Sequence, residues 1–219
     1  MADALNNIQT LYLKIKEAII NLDFKPGDRL AERELAKKYN VSRTPIRQVI
    51  QKLSVEGLVE IIPYKGAFIK QLTIDDFKDI TQLRNILETF SVKGCCENHD
   101  ETVIIQLKEI IQKQKNAVEI EDVKEYSLLD QEFHFTIVKA SGNKELIHFV
   151  ELLNQKSYLS RIRTLSLPDQ MEKSLAEHQE IFKCIVNKDK SMAAKKATEH
   201  VENALQRYIS LQNMIENFS

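Results

Sequence analysis

Apolar residues recur every three or four positions along most of this chain, which is the spacing of an amphipathic α-helix. Two short apolar stretches, residues 58–62 and 67–70, break this pattern around a turn that contains Pro63 and Gly66, and they predict a β-hairpin. The predicted helices cover residues 7–22, 31–39, 43–56, 74–95, 101–118, 121–140, 144–164, 169–187 and 189–217.

Glycine and proline divide the chain into two parts. Six of the nine such residues lie at or before Gly66, so short elements with tight turns precede long helices. The order helix, helix, turn, helix, hairpin at the front is that of a winged helix-turn-helix. We therefore expect a mainly α protein with a winged helix-turn-helix domain at residues 1–70 and an all-α helical bundle at residues 71–219.

Composition excludes several classes of protein. The 219 residues are 43% apolar and 29% charged, which is typical of a globular protein. No apolar run approaches the length of a membrane span or a signal-peptide core, so we expect a cytoplasmic protein that does not enter a membrane. The three cysteines show neither CxxC spacing nor a disulfide framework, which predicts ordinary buried thiols.

The distribution of charge supports the division into two domains. Residues 1–70 carry 12 lysines and arginines against 8 acidic residues, whereas residues 71–219 carry 19 against 24. A basic front end on an acidic body indicates that the front end meets a polyanion such as DNA.

The third predicted helix has the features of a DNA-reading helix. Ser42 is a suitable N-cap, and Pro45 is tolerated because amides in a first turn have no intrahelical acceptor. Arg43 at the exposed start, with Thr44 and Arg47, could contact base edges and phosphates in a major groove. The alternative is a solvated polar face, but the preceding helix, the short turn and the basic hairpin tip favour DNA binding.

Three histidines and an aspartate are predicted to point inward from three helices of the second domain. Asp130 and His134 are four residues apart and so share one helix face. His178 lies within an apolar stripe, and His200 lies beside small alanines. Such a set suits Zn²⁺, Ni²⁺, Fe²⁺, Co²⁺ or Mn²⁺, and the alternative is that the histidines are ordinary core residues.

The stretch PGDRLAERELAKKYNVSRTPIRQVIQKLSVEGLVEIIPYKGAFI (26–69) resembles the DNA-binding domain of GntR-type bacterial transcription regulators. The resemblance implies that base and phosphate contacts come from the recognition helix, the helix before it and the wing. The implied residues are Arg33, Ser42, Arg43, Thr44 and Arg47, with Gly66 at the wing tip and Lys65 beside it.

The rest of the chain resembles the FCD effector domain of the FadR-like branch of that family. Four stretches carry this resemblance: LRNILE (83–88), LLDQEFHFTIVKASGN (128–143), AEHQEIFKCIVNKD (176–189) and ATEHVENAL (197–205). The resemblance implies that Asp130, His134, His178 and His200 bind a divalent metal. It also implies a small organic acid as effector, for which Arg84 and, more weakly, Asn203 are candidate ligands.

The sequence therefore predicts a transcription regulator, in our interpretation a homodimeric repressor of a palindromic operator. Its DNA binding would respond to a carboxylic acid held at the metal site. Two alternatives stay open at this point. One is a metal-dependent enzyme with a fused DNA-binding head, against which stands the absence of the usual catalytic motifs. The other is a regulator whose metal is purely structural.

Overall fold

A computed structural model describes residues 2–20 and 23–217, with side chains over 8–20 and 23–215. The chain divides into two compact units, and the boundary in the sequence falls between Gln71 and Leu72. The last two residues of the predicted first helix, at positions 21 and 22, lie outside the described residues.

Within its described residues, the first unit contains three helices and a two-stranded sheet. Its helices are α1 (Ala2–Ile20), α2 (Glu32–Lys38) and α3 (Arg43–Val55), and its antiparallel strands are β1 (Val59–Ile62) and β2 (Gly66–Ile69). The apolar residues Ile46, Val49, Ile50 and Leu53 of α3 are buried at helical spacing, which leaves the polar face of α3 exposed.

The start of α3 departs in one detail from the sequence prediction. Ser42 has the extended backbone of an N-cap residue, but its hydroxyl makes no capping hydrogen bond. Arg43 is the first helical residue, so Pro45 is the third, where it removes no intrahelical hydrogen bond. The Ser42 side chain is exposed and available to an outside acceptor.

The wing is a hairpin with a three-residue loop, in which Ile62 pairs with Gly66. Gly66 has a φ of +111°, a conformation that side-chain-bearing residues rarely adopt. The turn leaves Tyr64 and Lys65 exposed at its tip.

The second unit is all helical within the described residues. It comprises α4 (Ile74–Asn98), α5 (Glu101–Glu119), α6 (Val123–Ala140), α7 (Lys144–Leu165), α8 (Gln170–Val186) and α9 (Lys190–Asn217). Several begin with side-chain caps: Thr73 forms a capping box with Asp76, and Asp100, Asp122 and Asn143 cap α5, α6 and α7. These caps explain why the predicted helix starts lie within two residues of the observed ones.

The core of the second unit is apolar and contains the three thiols. Cys95, Cys96 and Cys184 are free and buried in one cluster with Phe133 and Ile185, as the sequence predicted. Burial raises the pKa of the Cys95 thiol to about 12, so it is inert. No helix among the described residues is long and apolar enough to cross a membrane.

Candidate metal centre and nucleic-acid interface

Four side chains converge at one buried point in the second unit. Asp130 and His134 come from α6, His178 from α8 and His200 from α9. One ligand atom of each lies within 4.8 Å of those of the other three, and each residue is at most 5% exposed. The structure thus brings together the Asp and three His that the sequence singled out.

Each histidine of this cluster has an acceptor at its Nδ1 atom. His134 Nδ1 lies 3.2 Å from Glu88 Oε2, His178 Nδ1 lies 3.1 Å from Gln114 Oε1, and His200 Nδ1 lies 2.6 Å from Glu177 Oε2. Because these oxygens only accept, Nδ1 carries the proton and Nε2 keeps its lone pair.

The three Nε2 atoms face one another, and none of them carries a proton when the rings are neutral. His134 Nε2 and His200 Nε2 are 3.2 Å apart, so two lone pairs oppose each other when both rings are neutral. His178 Nε2 is fully buried, has no hydrogen-bond partner among the described residues, and lies 3.5 Å from Asp130 Oδ1. A buried polar atom without a partner is costly, and a cation between these four groups would remove that cost.

Burial keeps His178 and His200 neutral, and neighbouring cationic and hydrogen-bonding groups keep Glu177 ionised. Burial holds the pKa of His178 well below its usual value and also lowers that of His200, although Glu177 opposes the effect at His200. Burial alone would raise the pKa of Glu177, but hydrogen bonds from His200 and Arg207 lower it to about 2. Neutral imidazoles with carboxylate partners are the form in which histidine binds metals.

The donor set fits a divalent transition metal. Zinc binds histidine nitrogen at about 2.0–2.1 Å and carboxylate oxygen at about 2.0–2.2 Å, so two of its ligands are at most about 4.3 Å apart. The four ligand atoms already lie within 4.8 Å of one another, so a bound ion would have to draw them closer together. Nitrogen and oxygen donors suit Zn²⁺, Ni²⁺, Fe²⁺, Co²⁺ and Mn²⁺ alike.

Three arginines surround this cluster, each paired with a carboxylate. Arg84 Nε donates to Glu88 at 2.8 Å, and Arg161 Nε lies 3.2 Å from Asp130 Oδ2. Arg207 donates to both oxygens of Glu177 at 3.0 Å. Both side chains of the Arg84–Glu88 pair are buried because α4 turns this face toward α6.

These arginines line a small cavity beside Asp130 and His200. Its volume is about 20 Å³, and Thr164, Leu165, Ser174 and Ala204 complete the lining. Arg207 also lines a much larger open groove of about 750 Å³ between α8 and α9. Asn203 lies in that outer groove, is exposed, and donates to Glu177 at 2.8 Å.

Sequence reasoning missed the residues that orient the histidines. Gln114 is on α5, far from any histidine in the sequence, and no local spacing indicates its role. Glu177 directly precedes His178 in the sequence, but its carboxylate accepts a hydrogen bond from His200. Glu88 lies four residues from Arg84 on α4, and this spacing gives no sign of its contact with His134 on α6.

The residues expected to contact DNA lie on one unit and are accessible. Arg33, Ser42, Arg43, Thr44, Arg47 and Lys65 are exposed, and Gly66 is half-buried at the wing tip. Arg33, Arg47 and Gly66 line one groove of about 580 Å³ together with Arg29. Arg29, which sequence analysis did not single out, approaches the wing tip so closely that a Cβ on Gly66 would lie 3.4 Å from its Nε.

Comparison with known proteins places both units in families. Residues 7–69 match the family described as bacterial regulatory proteins of the gntR family, and residues 79–203 match the FCD domain. The chain is 32% identical over 191 residues to YdhC of Bacillus subtilis (strain 168), an uncharacterized HTH-type transcriptional regulator, covering 86% of this chain and 85% of that one.

Two further comparisons agree. The chain is 25% identical over 195 residues to a gluconate operon transcriptional repressor of Bacillus licheniformis, covering 87% of this chain and 80% of that one. A GntR-type putative transcriptional regulator from Rhodococcus sp. RHA1 has the same fold, with a TM-score of 0.79, 19% identity and coverage of 94% and 98%.

These matches exclude the enzyme alternative, because the matching families and relatives are transcriptional regulators. The chain belongs to the GntR family of bacterial regulatory proteins and is a DNA-binding transcription regulator with an FCD effector domain.

Proposed function

We propose that this protein is a homodimeric repressor whose binding to a palindromic operator is controlled by a small organic acid at a metal site in the FCD domain. The observation that carries the proposal is the convergence of Asp130 with three histidines whose Nε2 atoms all face one buried point. A histidine cluster serving only as core packing would leave fewer of its polar atoms without partners.

Asp130, His134, His178 and His200 would hold the metal, and Glu88, Gln114 and Glu177 would fix the orientation of the three rings. A bound divalent ion would supply an open coordination position for a carboxylate oxygen. One oxygen of Asp130, Oδ1, faces His178, and the other, Oδ2, faces Arg161. The same carboxylate would therefore bind the metal and balance the charge of Arg161.

The arginines support an acid as the effector. Arg84 and Arg161 are buried beside the cluster, and Arg161 has a terminal nitrogen, Nη1, without a hydrogen-bond partner among the described residues. Buried guanidinium groups with free donors favour a carboxylate, which they can bind in a bidentate manner. Asn203 and Arg207 would meet the acid on its way inward, because Arg207 lines both the outer groove and the inner cavity.

The small size of the inner cavity favours a second candidate function, that of a regulator whose metal is purely structural. A volume of about 20 Å³ holds little more than a water molecule, so an acid can enter only if side chains move. Release of Arg207 from Glu177 would join the cavity to the groove. If no such opening occurs, the metal is purely structural and the regulator responds to something else.

An apolar stripe supports the homodimer. Leu83, Ile86 and Phe90 are 52%, 66% and 55% exposed and follow one another at helical spacing along α4. Exposed large apolar side chains in a row indicate a protein interface. A two-fold dimer would present two recognition helices to half-sites about one helical turn apart, and an acid that changed the dimer geometry would alter their spacing.

For each reading head, we propose that the start of α3 enters the major groove. Arg43 and Arg47 would reach base edges, and Ser42, Thr44 and Arg33 would contact phosphates. Lys65 beside Gly66 would reach the minor groove or a phosphate. The name of the Bacillus licheniformis relative, a repressor, supports repression as the mode of control.

Thermal unfolding of the purified protein tests the proposal, measured against a panel of sugar acids, hydroxy acids and dicarboxylates with and without a chelator. We expect chelation to lower the midpoint, and one acid class to raise it only when the metal is present. A chelation effect without any acid effect would favour the structural metal.

A pair of variants tests the site itself. His178→Ala should lose the metal that co-purifies with the wild type, measured by elemental analysis. The matched control is His148→Ala, because His148 is exposed on α7. Equal metal content in His178→Ala and the wild type would contradict the metal assignment.

A further inference from the structure

The side chain of Arg47 is held in place by a carboxylate from another helix. Its Nε atom donates to both oxygens of Glu32, each at 2.8 Å, and Glu32 is the first residue of α2. The terminal amino groups of Arg47 make no hydrogen bond to any residue that the structure describes. The Arg47 side chain is 63% exposed and lines the groove of Arg33 and Gly66.

This arrangement leaves the donors that a guanine needs. Guanine offers O6 and N7 in the major groove, and the two terminal nitrogens of an arginine match that pair when it approaches end-on. The hydrogen bonds from Nε to Glu32 restrict the Arg47 side chain to few rotamers before DNA binds. The carboxylate therefore orients the guanidinium without blocking its reading edge.

The charges of the pair favour a base contact over a phosphate contact. Glu32 neutralises Arg47 locally, so the pair adds little to the non-specific attraction between the domain and the phosphate backbone. Directional hydrogen bonds from Arg47 to a base edge can still form when its charge is neutralised, whereas the Coulombic attraction of Arg47 to a phosphate is largely lost. Lys65, by contrast, is exposed and has no ion pair among the described residues.

We propose that Glu32 is a specificity-determining residue that positions Arg47 to read one guanine in each operator half-site. The inference rests on the proposed role of Arg47 in DNA reading. The opposing hypothesis is that Glu32 competes with DNA for Arg47, in which case its removal would strengthen binding and leave base preference intact.

In vitro selection from random duplexes, followed by binding measurements on single-base variants of the selected site, separates these outcomes. The full chain is compared with Arg47→Ala, Glu32→Gln and the control Glu34→Gln. Glu34 is exposed on the same helix, so its substitution removes an equal charge without touching Arg47. Unfolding midpoints of all four proteins check that the fold is retained.

We expect the wild type and Glu34→Gln to prefer guanine at one position of the half-site by about five- to 150-fold. Arg47→Ala should lose that preference, and Glu32→Gln should lose about fivefold or more of it at the same position only. Because Glu32→Gln frees the charge of Arg47, its binding should also depend more steeply on salt, by up to about 0.9 in the logarithmic slope.

The inference is overturned if Glu32→Gln keeps the full guanine preference, whether it binds DNA more tightly or not. It is also overturned if Arg47→Ala keeps every base preference, although the selected site would then still support DNA reading by the other residues. If the wild type enriches no sequence at all, the proposed mode of DNA reading fails, and this inference fails with it.

Discussion

Replacing Glu177 with glutamine tests how the protein prepares its metal ligands. The Glu177 carboxylate accepts four hydrogen bonds on two oxygens: one from His200, one from Asn203 and two from Arg207. Glutamine has one such oxygen. Two of the four bonds are therefore lost in either orientation of the amide, and its NH₂ group then faces other donors.

The expected magnitude follows from this geometry. Loss of a group that orients a metal-binding histidine lowers metal affinity by about 10- to 100-fold, or about 1.4–2.7 kcal/mol. We expect the upper part of this range, because the negative charge that favours the Nδ1-protonated form of His200 is removed as well. The metal-free protein should also lose about 1–3 kcal/mol of unfolding free energy, since Arg207 keeps only part of its partner.

The assay is a competition titration with a chromophoric chelator of known zinc affinity, performed on the wild type, Glu177→Gln and Glu180→Gln. Glu180 lies on the same helix, and its side chain is half exposed and paired with Lys183. This control should stay within about twofold of the wild type, because surface ion pairs contribute little. Zinc binding by Glu177→Gln as tight as that of the control would show that Glu177 does not prepare His200 for the metal.

Three other outcomes are expected. Burial lowers the pKa of His178 and His200, so below about pH 6.5 the unfolded chain binds more protons than the folded protein. The melting temperature of the metal-free protein should therefore fall as the pH is lowered from 7.5 to 5.5. A rise of the melting temperature over this range would contradict the prediction. Lys65→Ala should reduce the logarithmic salt slope of DNA binding by about 0.9, measured by fluorescence anisotropy, and an unchanged slope would remove Lys65 from the phosphate contacts. Phe90→Asp should yield monomers in sedimentation experiments. The control Ile105→Asp, at a comparably exposed site on α5, should leave the dimer intact. A dimeric Phe90→Asp protein would exclude the α4 stripe as the interface.

Much of the fold is predictable from the sequence because its signals are local. Helical spacing of apolar residues, together with the caps Thr73, Asp100, Asp122 and Asn143, fixes the helix positions to within a few residues. The fold class is confirmed by the helices, the wing and the family matches. The missing capping bond of Ser42 was not predictable, since rotation of a hydroxyl depends on competing acceptors.

The site is only partly predictable, for a different reason. The four-residue spacing of Asp130 and His134 and the inward positions of His178 and His200 are readable from periodicity. Their Nδ1 partners come from α4, α5 and α8, and such contacts depend on how helices pack rather than on local pattern. The hydrogen bond between Arg47 and Glu32, which joins α2 to α3, is hidden for the same reason.

If acid and metal together control operator binding, the affinity of the protein for its operator should respond to an acid only when the metal is present. The affinity of the full chain for a selected operator duplex is measured by fluorescence anisotropy across the acid panel, with zinc-loaded and chelator-treated protein. We expect one acid class to weaken operator binding by about 5- to 150-fold in the zinc-loaded protein and to have no effect after chelation. An equal response in both forms, or no response to any acid, would contradict it.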